Sequence, residues 1–448
     1  VKSMVRLRYL VSSVFVLLLC SSSSMAYIVP GYGRLPLKTQ PQFSARSCAS
    51  WRSAVRPRSA VMTAAPGRMA EEEVKTVDVG RMYDGFHHVE MWVGNAKQAA
   101  CYFMARFGFR EVAYRGLETG SRDVATHVVE QGTIRFAFSS ALTPGNEIMS
   151  QHHSRHGDGV RDVAFVVKDC RAAYEEIMRR GGRSIAEPRE ISDEHGSAIV
   201  ATIATYGDTV HTLVEKRGYN GPFLPGFRQV STVDPLTEFT ASPKLEFIDH
   251  VVGNQPDDAM EAVCEWYSDV MGFRRFWSVD DKQVTTEYSS LRSVVMTDEE
   301  ESIKMPINEP AQGLRKSQIQ EFVEYYDGPG VQHIALRTFD VIHTVKTLKQ
   351  RGVEFLKVPS AYYDDLERRL KEAGVTIKED LSVIRNLNIL VDFDETGYLL
   401  QIFMRPIQDR PTLFLEIIQR QKHEGFGVGN FKALFEAIER EQELRGNL

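Results

Sequence analysis

The chain has 448 residues, of which 43% are hydrophobic and 25% are charged, and its formal net charge is −6. The charge is unevenly distributed, because residues 1–70 contain ten Lys or Arg and no Asp or Glu, and an acidic body follows them. This acidic body argues against a nucleic-acid partner, and its length is sufficient for a large core divided between two domains.

Residues 1–70 have the composition of a targeting leader. The apolar run Tyr9–Cys20 is too short to span a bilayer comfortably, and the small residues of Ser21–Ala26 are typical of a signal cleavage zone. An acid-free stretch rich in Arg, Ser and Ala follows, as in transit peptides. This order predicts delivery to a plastid by a bipartite leader, with no membrane span in the mature protein. The alternatives are a plain secretory signal and, with translation from Met69, a cytoplasmic protein.

From about residue 80, one pattern of a strand, a helix, a glycine and further strands occurs four times. Two copies lie in each half of the body, and the copies correspond between the halves. The helices predicted for the four copies are, in chain order, Ala96–Phe107, Asp169–Arg180, Asp257–Met271 and Asp340–Arg351. The repeat therefore predicts two homologous halves, each built from two modules.

The fold class that follows is α+β, with tandem βαβββ modules in two halves. Each half is expected to be a curved mixed sheet with helices outside, because one module is too small to bury a sheet face alone. We expect an N-terminal domain over residues 80–220, a proline-rich linker over 221–244 and a C-terminal catalytic domain over 245–448. The active site is expected on the concave face of the C-terminal half.

The second half places His250, His333 and Glu416 at regular intervals, each within an apolar strand. Two imidazoles and one carboxylate form the facial triad of non-haem Fe(II), which leaves positions open for a bidentate 2-oxo acid and dioxygen. One buried histidine is more often a core residue, but three ligand types at corresponding positions of a repeat favour a metal site. The sequence therefore predicts that these three residues bind Fe(II).

The corresponding residues of the first half are His88, Asp162 and Glu215. An aspartate replaces the central histidine, and its neighbour Arg161 is expected to form an ion pair with it. We therefore expect the first half to bind no metal and to have a structural role, in supporting the second half and in assembly of the protein. The histidine-rich segment Gln151–His156 of this half is predicted to be a solvated loop.

Polar residues flank the predicted triad and lie among apolar neighbours. Buried amides need hydrogen-bonding partners, so these residues predict a buried ligand with polar ends; the alternative for each is a turn or a supporting role. The residues are Ser293, Asn308, Gln318, Gln332 and Gln401.

Near the end of the chain, the glycine-rich loop Gly425–Phe431 carries two aromatic residues, Phe426 and Phe431, and precedes a helix predicted over Lys432–Arg445. This arrangement predicts a lid that stacks on an aromatic ring and excludes water. The alternative is a docked terminal helix that fills core space.

Several long motifs occur in one order over about residues 80–440. They are Phe247–Asn254, Pro306–Pro310, Gly330–Ala335, Leu400–Phe403, Asp409–Arg420 and Gly425–Phe431. Through these motifs the body resembles the 4-hydroxyphenylpyruvate dioxygenases, a family of the vicinal-oxygen-chelate superfamily. The resemblance implies iron ligation by His250, His333 and Glu416. It also implies a substrate pocket formed by Ser293, Pro306, Asn308, Gln318, Gln332, Gln401, Phe403, Phe426 and Phe431.

The reaction implied by the resemblance converts 4-hydroxyphenylpyruvate and dioxygen to homogentisate and carbon dioxide. The 2-oxo acid chelates Fe(II), and decarboxylation is followed by ring hydroxylation and side-chain migration. Homogentisate belongs to tyrosine and phenylalanine breakdown and, in plastids, to plastoquinone and tocopherol synthesis. We expect the protein to assemble as a homodimer.

Two alternatives share this fold. Hydroxymandelate synthases resemble the dioxygenases in triad and substrate but hydroxylate the benzylic carbon, and Phe403 and the Pro306 motif favour the dioxygenase. Glyoxalase-type isomerases and metal-free ligand-binding proteins form the second alternative, which predicts zinc or no metal and no oxygen uptake.

Overall fold

The computed structural model describes residues 78–231, 239–279, 290–311, 313 and 315–447. The predicted leader over residues 1–70 and part of the predicted linker lie outside the described residues. No helix within the described ranges is long and apolar enough to cross a membrane.

The first half forms a mixed sheet in the strand order β6-β7-β8-β5-β1-β4-β3-β2-β9. Its strands are β1 (Tyr83–Trp92), β2 (Arg110–Arg115), β3 (Val124–Gln131), β4 (Ile134–Ala141), β5 (Gly159–Val167), β6 (Arg183–Asp193), β7 (Gly196–Ala204), β8 (Val210–Arg217) and β9 (Arg228–Gln229). Its helices are α1 (Ala96–Phe107), α2 (Glu147–His156) and α3 (Cys170–Arg179).

The second half forms another mixed sheet, in the order β11-β12-β13-β10-β14-β17-β16-β15. Its strands are β10 (Ile248–Asn254), β11 (Arg274–Val279), β12 (Ser290–Thr297), β13 (Lys304–Ala311), β14 (Gly330–Arg337), β15 (Leu390–Phe393), β16 (Tyr398–Phe403) and β17 (Phe414–Gln421). Its helices are α4 (Met260–Asp269), α5 (Gln318–Tyr326), α6 (Val341–Gln350), α7 (Ser360–Ala373), α8 (Leu381–Leu387) and α9 (Val428–Arg445).

The two sheets have the same internal plan. In each, the first strands of the two modules are neighbours and run antiparallel, β1 with β5 and β10 with β14. The remaining strands of each module extend outward from this central pair. The prediction of an α+β fold with two curved mixed sheets built from βαβββ modules is confirmed.

Local sequence explains the helix boundaries. The Asn95 side chain accepts a hydrogen bond from the backbone N–H of Gln98, and Gly108 closes α1 with a left-handed φ of 68°, so that α1 has the predicted bounds. Asp169 and Asp340 cap α3 and α6 in the same way, and each helix begins one residue later than predicted.

The prediction of a solvated loop over Gln151–His156 was wrong. These residues form the second part of α2, whose His152 and His156 side chains are buried. The His156 ring stacks on Tyr326 of the second half, with ring centroids 4.3 Å apart. His156 therefore contributes to packing between the halves.

A shared core joins the two halves. The Tyr83 ring lies edge-on against Phe165 of its own sheet and against Phe273 of the second half, with ring centroids 5.9 and 5.2 Å away. Its hydroxyl donates to the backbone oxygen of Met271 at 3.1 Å. Burial of such aromatic residues contributes strongly to stability, and it holds the two sheets in a fixed relation.

Candidate metal centre

Three neighbouring strands bring the predicted triad together. The antiparallel register of β10 and β14 pairs His250 with Ala335, and the parallel register of β14 and β17 pairs Ala335 with Glu416. His333 lies two residues before Ala335, so its side chain projects from the same face of the sheet. Residues far apart in sequence therefore meet on one face.

The three side chains form a compact, buried group. The Nε2 atoms of His250 and His333 each lie 3.4 Å from the same oxygen of Glu416, Oε2. One candidate ligand atom from each residue lies within 4.8 Å of the others. All three residues are buried, and the other carboxylate oxygen, Oε1, is buried and accepts no hydrogen bond from the residues that the structure describes. A buried carboxylate oxygen without a partner is costly, and a metal ion would satisfy it.

The imidazoles are held in the tautomer that a metal requires. Nδ1 of His250 lies 2.8 Å from a carboxylate oxygen of Asp249, and Nδ1 of His333 lies 3.0 Å from the amide oxygen of Gln332. Because both partners are acceptors, each Nδ1 carries a proton, and each Nε2 is the atom left to bind a metal. The donor set therefore fits a transition metal such as iron.

Two β-bulges make these supporting contacts possible. Val252 pairs with His333 while Gly253 pairs with Val331, so Gln332 is an extra residue in β14. A bulge breaks the alternation of side chains, and it allows Gln332 to face the cavity beside His333. A second register shift makes Asp249 an extra residue in β10.

Asp249 is a site residue that the sequence analysis did not single out. Its carboxylate accepts from Arg420 at 2.8 Å and from Arg337 at 3.1 Å, as well as from His250. Burial opposes the charge on Asp249, but the Arg420 guanidinium and the hydrogen bonds hold the pKa of the carboxyl well below its usual range. The ionised Asp249 is therefore a fixed acceptor for the His250 N–H.

The electrostatics of the triad follow from burial and mutual contact. Burial lowers the pKa of His333 despite the nearby carboxylate of Glu416. Burial would lower the pKa of His250 as well, but hydrogen bonds to Asp249 and Glu416 raise it. Burial alone would raise the pKa of Glu416, and contact with both imidazoles lowers it. The carboxylate is therefore ionised in the pH range in which a metal would bind.

A cavity of about 550 Å³ opens beside the triad. Its walls include Phe403 and Phe414, and the Phe414 ring stacks on His333 with ring centroids 4.9 Å apart. Phe414 was missed by the sequence analysis, although its position two residues before Glu416 on the same strand could have indicated it. The cavity has the aromatic walls expected for a small aromatic ligand.

Two family models match the chain. Residues 79–222 match "Hydroxyphenylpyruvate dioxygenase, HPPD, N-terminal", and residues 247–369 match "Glyoxalase/Bleomycin resistance protein/Dioxygenase superfamily". The chain is 58% identical to the 4-hydroxyphenylpyruvate dioxygenase of Xenopus tropicalis, over 81% of this chain and 92% of the relative. It is 56% identical to that of Dictyostelium discoideum, over 82% of this chain and 100% of the relative.

The chain belongs to the 4-hydroxyphenylpyruvate dioxygenase family. The predicted resemblance is thereby confirmed. A solved structure of a triple mutant of 4-hydroxymandelate synthase from Streptomyces coelicolor has a TM-score of 0.70 and 30% identity, over 81% of this chain and 99% of that chain. The much higher identity to the dioxygenases favours the dioxygenase family over the synthase.

Most of the pocket residues predicted for a member of this dioxygenase family line the same cavity. They are Ser293, Pro306, Asn308, Gln318, Gln332, Phe403, Phe426 and Phe431. The amide nitrogen of Gln332 lies 3.4 Å from the amide oxygen of Gln318, and Ser293 pairs directly with Asn308 across β12 and β13. The cavity is therefore lined by amide and hydroxyl groups as well as by aromatic rings. The functional roles of these residues stay predictions.

Gln401 does not line this cavity of the dioxygenase fold. It is buried on β16, and its amide nitrogen has no hydrogen-bond partner among the described residues. A Cβ atom added to Gly427 would lie 2.3 Å from that nitrogen. Gln401 therefore packs beneath the loop that leads into α9.

The end of the dioxygenase chain covers the cavity. The Phe426 ring lies edge-on to His250, with ring centroids 5.2 Å apart. Helix α9 begins at Val428, earlier than predicted, so Phe431 lies on the helix and not on a loop. Leu434 and Phe435 of α9 also line the cavity. The helix thus provides one wall, and its opening would expose the cavity to water.

Substitution of Gly427 by alanine is expected to loosen this wall. Gly427 has a φ of 78° and abuts Gln401, whereas Gly374 has a φ of 66° and open space, with no atom within 4 Å of the place an added methyl group would take. We expect Gly374→Ala to lower the free energy of unfolding by about 1 kcal/mol. Gly427→Ala should lower the free energy of unfolding by roughly 1–3 kcal/mol more than Gly374→Ala, because the added methyl group also collides with the Gln401 side chain.

Chemical denaturation and limited proteolysis of α9 would measure this difference. Faster cleavage within α9 is expected for Gly427→Ala only. Equal stability and equal cleavage of the two alanine variants would contradict close packing of Gly427 against Gln401.

The first half of the dioxygenase chain departs from two predictions. Glu215 is not the counterpart of Glu416, because the β5–β8 register places Thr212 at that position. The Glu215 carboxylate instead accepts from the backbone N–H of Cys170 at 2.9 Å. The predicted ion pair between Arg161 and Asp162 is also absent from the described part of the chain.

Asp162 of the first half has other partners. It accepts from the backbone N–H of Thr212 at 2.9 Å and from the Thr212 hydroxyl. Burial raises the pKa of Asp162 to about 7, despite these hydrogen bonds. One ligand atom each from His88, Glu90 and Asp162 lies within 4.8 Å of the others, but His87 stands at the bulge where the second half has Asp249. The first half therefore lacks the carboxylate that orients the metal-facing imidazole.

Proposed function

We propose that this dioxygenase converts 4-hydroxyphenylpyruvate and dioxygen to homogentisate and carbon dioxide, with Fe(II) held by His250, His333 and Glu416. The observation that supports the proposal most directly is the meeting of two imidazoles and a buried carboxylate in an aromatic cavity. Membership of the dioxygenase family supports the substrate. We also propose that residues 245–448 form the catalytic domain and that residues 80–220 bind no iron.

The metal and the protein have separate tasks in this proposal. His250, His333 and Glu416 would hold Fe(II), which would supply the oxidation chemistry for a bound 2-oxo acid and dioxygen. Asp249 and Gln332 hold the Nδ1 protons of the two histidines, so that both Nε2 lone pairs stay directed to the centre. The chain thereby fixes the protonation state of its ligands before any substrate enters.

The remaining residues of the cavity position the substrate. The amides of Gln332, Gln318 and Asn308 line the cavity, where hydrogen bonds can hold the carboxylate or phenol ends of the substrate. The rings of Phe403 and Phe426 can enclose its aromatic ring. Helix α9 excludes water, which protects a reactive centre from side reactions.

Oxygen uptake with product analysis tests the proposal. The full-length protein, reconstituted with Fe(II), is expected to consume one dioxygen for each 4-hydroxyphenylpyruvate and to release homogentisate, identified by NMR and mass spectrometry. Protein loaded with Zn(II) is the control and should consume none. Formation of 4-hydroxymandelate would favour the synthase reaction, and no uptake by folded, iron-loaded protein would exclude both.

We propose two further properties that the leader and the family support. The basic, acid-free composition of residues 1–70 supports delivery to a plastid, where homogentisate serves plastoquinone and tocopherol synthesis. A cytoplasmic protein of tyrosine breakdown is the alternative. Fluorescence imaging of the tagged full-length protein tests the location, and light scattering of the purified protein tests the predicted homodimer.

A further inference from the structure

The first half contains a second large cavity, which the proposed reaction does not use. It opens to solvent on the face of the sheet that carries His88 and Asp162. These residues occupy the positions of His250 and His333 in the other half. The first-half cavity therefore corresponds to the catalytic cavity by the internal repeat.

Three arginines line the first-half cavity. The Arg115 guanidinium lies over the Phe227 ring at 4.7 Å, and its Nε is buried and has no hydrogen-bond partner in the described part of the chain. Arg189 is exposed, and within the described ranges no carboxylate forms an ion pair with it. Arg161 lies over the Trp92 ring and donates to the backbone oxygen of Asp208. Glu90 lies close enough to act on Arg115, and Asp162 and Asp208 act on Arg161, but no carboxylate within the described ranges forms a direct ion pair with any of the three. Partly desolvated guanidinium groups without a direct ion pair favour an anionic ligand.

The cavity has fewer ionised acidic groups than arginines. Burial raises the pKa of Asp162 to about 7, so the group is partly neutral near neutral pH. Burial lowers the pKa of His88 to about 3, so this imidazole is uncharged. Glu90 is the remaining carboxylate. The three arginines thus outnumber the ionised acids, which disfavours a metal cation.

Aromatic residues line the rest of the cavity. Phe223, Phe227 and Trp92 all contribute to its walls, and the Phe223 ring lies 4.9 Å from the His88 ring. Aromatic walls beside cationic groups suit a ligand that has a ring and an acid group.

We propose that the first-half cavity binds an aryl carboxylate, with its carboxylate at Arg115 and Arg189 and its ring against Phe223, Phe227 and Trp92. This second site is separate from the metal centre, and binding there does not require a bound metal. The inference does not rest on the proposed reaction, because none of its residues belongs to the catalytic cavity.

The test uses the full-length protein and 4-nitrophenylacetate, an aryl carboxylate whose nitro group quenches tryptophan fluorescence. Because Trp92 lines the first-half cavity and not the catalytic cavity, we expect saturable quenching that is lost in Trp92→Phe. Arg115→Gln should weaken binding by about tenfold or more, since a charged hydrogen bond is lost. Arg110→Gln is the matched control, because this exposed arginine pairs with Glu130 on the neighbouring strand.

Arg189→Gln guards against a folding defect in Arg115→Gln, because Arg189 is exposed, and it should also weaken binding. Quenching that rises linearly with concentration would overturn the proposal. The proposal would also be overturned if Arg115→Gln and Arg189→Gln, with a native fold by circular dichroism, were saturated at the same concentration of 4-nitrophenylacetate as the unaltered protein. Saturable quenching by Mn²⁺ that Glu90→Gln abolishes, without saturable quenching by 4-nitrophenylacetate, would mean that the cavity is a cation site and would also overturn it.

Discussion

His333→Ala is expected to remove iron from the protein and to abolish oxygen uptake with 4-hydroxyphenylpyruvate. The substitution takes one of three ligands from a centre whose other members, His250 and Glu416, cannot supply the missing lone pair. The iron content should fall from about one atom per chain to the background level, and turnover should fall below detection. Iron analysis of the dialysed protein and an oxygen electrode measure these two quantities.

The first half supplies the matched control for this experiment. Asp162 occupies the position that corresponds to His333, and Asp162→Asn preserves the shape that contacts Thr212. We expect this variant to retain its iron and its oxygen uptake. Iron loss in Asp162→Asn would mean that the first half contributes to metal binding, and retained iron in His333→Ala would disprove the assigned ligand set.

Asp249→Asn is expected to weaken iron binding by roughly 10–100-fold, because a neutral amide holds the His250 proton less firmly than a carboxylate. The same change leaves Arg420 and Arg337 facing a neutral group, and Arg420 is buried. Loss of one partner from a buried ion pair costs roughly 3–5 kcal/mol, so the free energy of unfolding should fall by an amount in this range. Metal titration and chemical denaturation of the metal-free protein separate the two effects.

Asp257→Asn provides the comparison for Asp249→Asn. Asp257 is exposed and pairs with Arg292 at 3.2 Å at the protein surface. We expect a change of no more than about 1 kcal/mol in stability, as for other surface ion pairs, and no change in iron affinity. If both aspartate variants behaved alike, the buried network around Asp249 would have no special role.

The repeat in the sequence was sufficient to predict the fold and the meeting of the triad. The first strand of each module in the second half carries a histidine at the same position. When these two strands pair at the centre of the sheet, both histidines lie on one face. His250 and His333 were found in this way, whereas Glu416 was found as a polar residue within an apolar strand, since Glu215 is not its counterpart in the repeat. The helix caps Asn95 and Asp340 were predictable for a local reason, since a side chain that accepts from the first turn marks where a helix starts.

The bulges could not be predicted from the sequence. A strand pattern assumes strict alternation, which would turn Asp249 and Gln332 away from the histidines beside them. One extra residue at each position reverses that direction, and the cause is the pairing of strands that are distant in the chain. The same limitation explains why Asp249 was overlooked.

Register errors account for the wrong counterpart in the first half. Glu215 and Glu416 share a residue type and a similar flanking pattern, but the backbone pairing places Thr212 where Glu416 stands. Strand register depends on side-chain packing across the whole sheet, which the motif comparison did not contain. The location of Gln401 beneath the loop has a similar origin, since the path of that loop depends on tertiary contacts.

The distribution of the three ligands has a consequence for how the second half unfolds. His250 comes from its first module, whereas His333 and Glu416 come from its second. Bound iron would therefore fasten the two modules together, and neither could open without losing the free energy of metal binding. The loaded second half should unfold as one cooperative unit, and removal of the metal should let its modules exchange amide hydrogens at different rates.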